Sequence, residues 1–209
     1  MRTDRLDDGY RWSVPYSDTP VLRNEFVELQ PLGPEHHDGL VDAVRDGELW
    51  RTWYTSIPSP DEMAAEIERR RARQDDGDLA PWAIIDPRTG SAVGMTTYLH
   101  LDPDNRRLEI GSTWLGRRAQ GTGINPAAKL LLLARAFDEI GCIAVEFRTH
   151  WHNRQSRAAI AKLGAKQDGV LRNHMLFGDG TVRDTVVFSI IDREWPTVRH
   201  GLVQRLGPR

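Results

Sequence analysis

Apolar positions along this chain change their spacing several times, and each change marks an element. Val21 to Leu29 reads as a first strand, and Pro34 to Asp46 as a modest helix with His36, His37 and Asp38 near its start. Ser59-Pro60-Asp61-Glu62 is a helix start: Ser as cap, Pro in the first turn, Glu three residues after the cap. That helix runs through Ala64, Ile67 and an arginine run to Gln74. Pro81 to Ile85, Ala92 to Leu101 and Leu108 to Trp114 read as strands, joined by turns at Asp86-Pro87-Arg88-Thr89-Gly90 and Asp102-Pro103-Asp104-Asn105. They make an antiparallel meander. An Ala- and Leu-rich helix from Ile124 to Ile140 stops at Gly141, and a strand follows from Ile143 to Thr149. A helix from Asn153 to Leu163 ends at Gly164. Val170 to Leu176 and Val182 to Ile190 flank the hairpin signal Gly178-Asp179-Gly180. Asp192 is placed to cap a last helix carrying Trp195, Val198, Leu202 and Leu206.

This order, antiparallel strands, then a βαβ crossover, then a hairpin, defines an α+β fold. Residues 1–20 read as an arm whose Tyr10, Trp12 and Tyr16 pack against something, and residues 21–209 as one domain. The aromatic arm and the last apolar helix could each support a homodimer, and packing within one chain explains them equally well.

Composition narrows the function. The 209 residues are 39% hydrophobic and 28% charged, as in ordinary soluble domains, and the net charge of −2 supplies no basic field for nucleic acid. The single cysteine, Cys142, excludes an intramolecular disulfide framework. Met1 to Gly9 lack the pattern of a signal peptide, and no apolar run approaches the roughly 20 residues that span a bilayer, so the expected location is the cytoplasm, off the membrane.

Arg118-Ala119-Gln120-Gly121-Thr122-Gly123 sits between an apolar strand and a long apolar helix. The first N–H groups of a helix lack internal partners, the macrodipole puts positive charge there, and glycines let a phosphate approach the backbone. The loop is not a Walker P-loop, because no Gly-Lys-Ser/Thr closes it, and it lacks the third glycine of a dinucleotide fingerprint. A bare turn built on two glycines is the plainer alternative.

Arg118 to Gly123 matches the Gln/Arg-x-x-Gly-x-Gly/Ala signature of the GNAT acetyltransferase superfamily, with strand and helix on either side as in that superfamily. Asn153, Ser156 and Leu163-Gly164-Ala165 extend the match. Leu171-Arg172-Asn173-His174, Asp179-Gly180, Arg183-Asp184 and Glu194-Trp195-Pro196 resemble the ribosomal-protein N-terminal acetyltransferase branch, of RimJ/RimL type. The resemblance is dense from residue 81 to 206. It implies a mixed sheet of about seven strands with helices on both faces, two of the strands splayed into a V that holds the cofactor. It also implies acetyl-CoA as donor, CoA as product and a primary amine as acceptor, attacked directly in a ternary complex.

The resemblance places the CoA diphosphate at Gln120, Gly121, Thr122, Gly123 and Ile124, with Asn125 adding a side-chain contact and Arg117 and Arg118 adding positive charge. Solvated surface arginines are the alternative for the last two. The backbone at Trp114 or Leu115 would polarise the thioester carbonyl, while the Trp114 ring reads as core. Glu109 is the candidate base that takes the amine proton; the alternatives are a water relay, or a structural Glu paired with Arg106, Arg107 or another cation. Asn153 and Ser156 share a helical face and could meet the pantetheine amide and the departing sulfur, Ser156 as acid; a helix cap and an ordinary first-turn Ser are the rivals. Many members of the superfamily carry a Tyr near that point and this chain does not, so the acid is left open. Trp50, Trp53 and Tyr54, with Thr97 below them and His174 beside them, are the candidate acceptor wall, against simple core packing or a structural histidine. Cys142 reads as a buried, inert thiol, and His36-His37 and His150-x-His152 lack a metal-ligand set, so no metal is expected.

A protein N-terminal amine is the first acceptor to expect. A small-molecule amine, such as an antibiotic or aminoacyl conjugate, is the alternative. A non-catalytic CoA-binding regulatory module and a nucleotide-binding protein unrelated to CoA are readings from other classes.

Overall fold

The computed structural model describes residues 14–207, so Tyr10 and Trp12 of the arm lie outside the described residues. Among the described residues, eight strands form one sheet: β1 (Leu22–Arg23), β2 (Glu28–Pro31), β3 (Ala80–Asp86), β4 (Ser91–Asp102), β5 (Arg107–Leu115), β6 (Ala144–His150), β7 (Lys166–Leu176) and β8 (Val182–Ile191). They lie in the order β1-β2-β3-β4-β5-β6-β8-β7, and only the β5–β6 pair is parallel. The eighth strand arises because Val21 to Leu29 is not one strand. Asn24 accepts the N–H groups of Phe26 (2.9 Å) and Val27 (3.1 Å) at its side-chain oxygen and turns the chain into a hairpin.

Five helices cover the sheet: α1 (His37–Arg45), α2 (Met63–Asp75), α3 (Ile124–Ala134), α4 (Arg154–Leu163) and α5 (Trp195–Leu206). Side chains alternate along a strand, and both sides of the inner strands are apolar. Trp82, Ile84, Leu108, Ile110 and Phe147 join Ile124, Leu132, Ile160 and Leu202 in one core; Ala83, Ile85, Met95 and Trp114 join Leu40, Val44, Met63 and Ile67 in another. Helices on both faces follow directly. Tyr16 anchors the arm in the first core, and the apolar side of α5 is occupied there within the chain.

The expected helix boundaries rest on visible chemistry. The N–H and hydroxyl of Ser59 donate to the Glu62 carboxylate (2.9 and 2.8 Å), and Asn153 caps α4 by accepting from the Ser156 N–H (3.0 Å). Asp192 does not cap α5: Glu194 holds that position, and the Asp192 carboxylate accepts from the Arg193 N–H instead. Beyond Ala134 the long helix continues as one wider turn, Arg135–Glu139, of π type.

Two irregularities prepare a site. Met95 faces Trp114 and Thr97 faces Gly111, so Ser112 and Thr113 crowd into the space of one residue, with Ser112 at φ 47. The β5–β6 pairing runs only through Arg107↔Ala144, Leu108↔Val145 and Glu109↔Glu146; beyond it the two strands part.

Behind the bulge lies buried Lys129 of α3, donating to the Thr113 hydroxyl (2.6 Å) and the Thr96 hydroxyl (3.2 Å). Burial without a carboxylate pushes its ammonium down from 10.5 to about 7. Below about pH 7 native and unfolded chains both carry the charge, and the burial penalty is full. Between about pH 7 and 10.5 the unfolded chain binds more protons, so stability rises with pH, and it levels off above that window. Lys129→Met leaves Thr96 and Thr113 bonded to each other (2.7 Å). It should raise stability at pH 7, by up to about 4 kcal/mol, and flatten the rise. Urea unfolding at several pH values checks this; a wild-type profile flat across the window contradicts it.

Candidate active site

The bend after β5 divides into a satisfied half and an open half. Asp46, at the end of α1, accepts the Arg117 N–H at its carbonyl (3.0 Å) and the Arg118 N–H at its carboxylate (2.7 Å). The Ala119 and Gln120 amides donate back to Gly116 and Arg117. The Gln120 side chain ties Leu115 (2.9 Å) to Gln155 of α4 (3.1 Å), and the Thr122 hydroxyl donates to the Ala119 carbonyl (2.7 Å). Past that point, among the described residues, the N–H groups of Gly121, Thr122, Gly123, Ile124 and Asn125 have no protein acceptor. The first helical bond is Ala127 N–H to the Gly123 carbonyl (3.1 Å), and Pro126 has no N–H to give. Gly121 (φ 76) and Gly123 (φ 92) hold this conformation, and a Cβ on Gly121 would meet nothing within 4 Å.

Successive free amides at the positive end of an eleven-residue helix suit an anion. The free amides therefore fit a diphosphate. The Asn125 side-chain oxygen, buried with no partner among the described residues, is an acceptor and adds nothing to that fit. Arg118 is solvent-exposed and paired with Asp46 (3.4 Å), and the amides of both arginines are already engaged, so Arg117 and Arg118 can offer only side-chain charge.

The bend opens onto the β5–β6 split. Gly116 N–H donates to Val93 of β4 (2.9 Å). Neighbouring N–H groups in a strand point to opposite sides, so Leu115 turns its N–H into the split and Trp114 turns its own toward β4. Of the two candidate amides, the geometry selects Leu115; the Trp114 ring is buried in the second core, as expected of a packing residue. Across the split, Asn153 is used as a cap. Half-buried Ser156 has a hydroxyl with no partner among the described residues.

Glu109 lies on the α1/α2 face, opposite to Ile110, and is buried. Arg106 donates to the Gly141 carbonyl, and Arg107 pairs with Glu146. Glu109 accepts from His100 Nδ1 (2.9 Å) and stands 3.5 Å from Arg148 Nε, and its hydrogen bond raises the His100 pKa. Gly111 makes this possible, because a Cβ there would sit 2.5 Å from the Glu109 carboxylate. A recess of about 250 Å³ lined by His100, Asp102, Arg107, Glu109, Glu146 and Arg148 opens beside it.

Two expected acceptor residues lie elsewhere. Thr97 is sealed beneath α2, accepting from Arg70 Nη1 (2.5 Å), and Trp50 packs with Leu49 and Ile57 against the second core. Trp53 and Tyr54 do reach the open end of β6: the Trp53 ring lies 5.2 Å from His150 and 5.4 Å from Tyr54. His174 bonds the Thr185 hydroxyl of β8 (3.0 Å), and Thr185 faces His150 at that end. Cys142 is buried and its thiol is pushed up to about 11, far from a nucleophilic thiolate. In the sequence His150 reads only as a non-ligand. Its parity with Glu146 and Arg148 along β6, which puts all of them on one face, was the available signal.

A split parallel pair, a bulged strand and an anion-binding helix start define an acyl-CoA-type transferase fold. The chain belongs to the GNAT acetyltransferases: residues 27–166 match the acetyltransferase (GNAT) domain family, and the protein is an acyltransferase. A GCN5-related N-acetyltransferase from Brucella melitensis superimposes with a TM-score of 0.82 at 30% identity, covering 93% of this chain and 88% of that one. The Bacillus subtilis protein YdaF, named provisionally as a ribosomal N-acetyltransferase, is 28% identical over 178 residues, 82% of this chain and 94% of its own. Mycobacterium smegmatis RimJ, solved with CoA-disulfide, shares the fold (TM-score 0.74, 24% identity, 89% and 93% coverage). No described helix is long and apolar enough to cross a membrane.

Proposed function

We propose that this N-acetyltransferase draws its acetyl group from acetyl-CoA and delivers it to the N-terminal amine of a protein, in the cytoplasm and by direct attack in a ternary complex. The observation that carries the reading is the row of free amides from Gly121 to Asn125 opening onto the β5–β6 split. The RimJ structure with a CoA derivative supports the cofactor, and the ribosomal name given to YdaF supports a protein acceptor.

Acetyl-CoA supplies an acyl group already activated as a thioester. The chain's own residues do the rest. The Gly121–Asn125 amides grip the diphosphate, with Asn125 and the Arg117 and Arg118 charges beside it. The Leu115 N–H polarises the thioester carbonyl in the split. Glu109, directly or through water, takes the proton that an ammonium must lose before it can attack. Ser156 gives a proton to the departing sulfur, and Asn153 orients the pantetheine arm. Trp53, Tyr54 and His174 border the acceptor.

The test is release of CoA thiol in the presence of N-terminal peptides and of small amines, including aminoglycosides. The expected result is acetyl-CoA-dependent release driven best by peptides. Turnover confined to small amines would move the enzyme to that class, and binding of CoA without transfer to any acceptor would make it a regulatory module.

A further inference from the structure

The aromatic group at the open end of β6 surrounds an unmet hydrogen-bond donor. His150 is 3% exposed. Its Nδ1 accepts the N–H of His152 (3.0 Å), so in the neutral ring the proton sits on Nε2. Burial, then Arg183 and His152, lower its pKa and keep the ring neutral. The Nε2 atom is buried and has no partner among the described residues. A buried donor left without an acceptor keeps its full desolvation cost, so this position is unfavourable until something with a lone pair arrives.

Its surroundings restrict what that is. The Phe177 ring stacks on His150 at 5.8 Å with 8° between planes, Trp53 meets it edge-on, and Tyr54 lies 6.1 Å away. The cover is thin: Trp53 is 54% exposed and belongs to the turn between α1 and α2. His150 lies four residues beyond Glu146. Trp114 lies four beyond Glu109 once the extra bulge residue is discounted, so His150 stands across the split from the Trp114–Leu115 end of β5. Flat apolar walls and one donor suit a planar group with apolar faces and an acceptor oxygen. Arg148, on the same side, is paired with Glu109 and Glu146, so its charge is balanced there.

We propose that His150 determines acceptor specificity: its Nε2–H donates to the carbonyl oxygen of the first peptide bond, so the enzyme favours α-amines that bear an amide over simple amines. This rests on the transfer reading above, with Trp53 swinging aside to admit the amide.

The experiment compares alanyl-alaninamide with sec-butylamine, which keeps the branched amine and lacks the carbonyl. In His150→Phe the ratio of kcat/KM for the peptide to that for the amine should fall 10- to 100-fold, and His150→Gln, which retains a donor, should recover part of it. An unchanged ratio overturns the proposal. A second readout needs neither turnover nor a variant: in wild-type protein with ¹⁵N-labelled histidine and bound CoA, the His150 Nε2 proton should move downfield with alanyl-alaninamide and stay in place with sec-butylamine. No movement with the peptide overturns the role of His150. Movement without any acetyl transfer upholds it while overturning the transfer reading, so the two failures are distinct.

Discussion

Gly121→Val is expected to weaken acetyl-CoA binding at least 100-fold while the fold survives. Gly121 sits at φ 76, and a Cβ there points into space that no protein atom occupies. A branched side chain fills the region the diphosphate needs and pushes it away from the amides of Gly121 to Asn125. Losing charge-assisted bonds to a phosphate readily accounts for the roughly 2.7 kcal/mol that a 100-fold change represents. The left-handed backbone adds a folding cost of about 1–2 kcal/mol, small enough for the domain to remain native. Calorimetric titration with acetyl-CoA, beside a thermal melt, separates the two effects. Unchanged affinity in a folded variant removes the bend from cofactor binding.

Glu109→Gln should lower turnover about 100-fold or more and leave acetyl-CoA affinity within about threefold, the pattern of a lost base. Glutamine has the same shape, so the recess and the room left by Gly111 persist. What disappears is the capacity to take a proton and the negative charge facing His100 and Arg148. The His100 pKa, raised chiefly by its bond to Glu109, should fall back toward its ordinary value, visible by NMR titration. Wild-type turnover across the pH range would remove Glu109 from the chemistry and leave it as the structural partner of His100.

What could be read along the chain was local. The Ser59–Glu62 pair, the Asn153 cap and the glycines at 121, 123 and 164 act within a few residues of themselves, so their chemistry shows in spacing. Asn24 defeated the same logic: one polar residue inside an alternating stretch looks tolerable in a strand until its side chain is seen taking two backbone N–H groups. The candidate site was legible at the bend and much less so at the acceptor. Glu109 stands out in the sequence as a candidate, but its partner His100 arrives through β4, where Leu99 faces Glu109, and no spacing reports that register. Thr97 is expected to floor the cleft from a central strand and Trp50 to wall it after the first helix; Arg70 and the second core engage them through contacts distant in sequence. Lys129, inside an Ala- and Leu-rich helix, is buried under the β5 bulge, and nothing in its spacing reports that.

The most direct measurement follows backbone amide resonances while CoA is titrated into ¹⁵N-labelled protein. If bare helix-start amides grip the diphosphate, the resonances of Gly121, Thr122, Gly123, Ile124 and Asn125 should shift most, with Leu115 following along the split. Saturable CoA binding that leaves those resonances in place would contradict it.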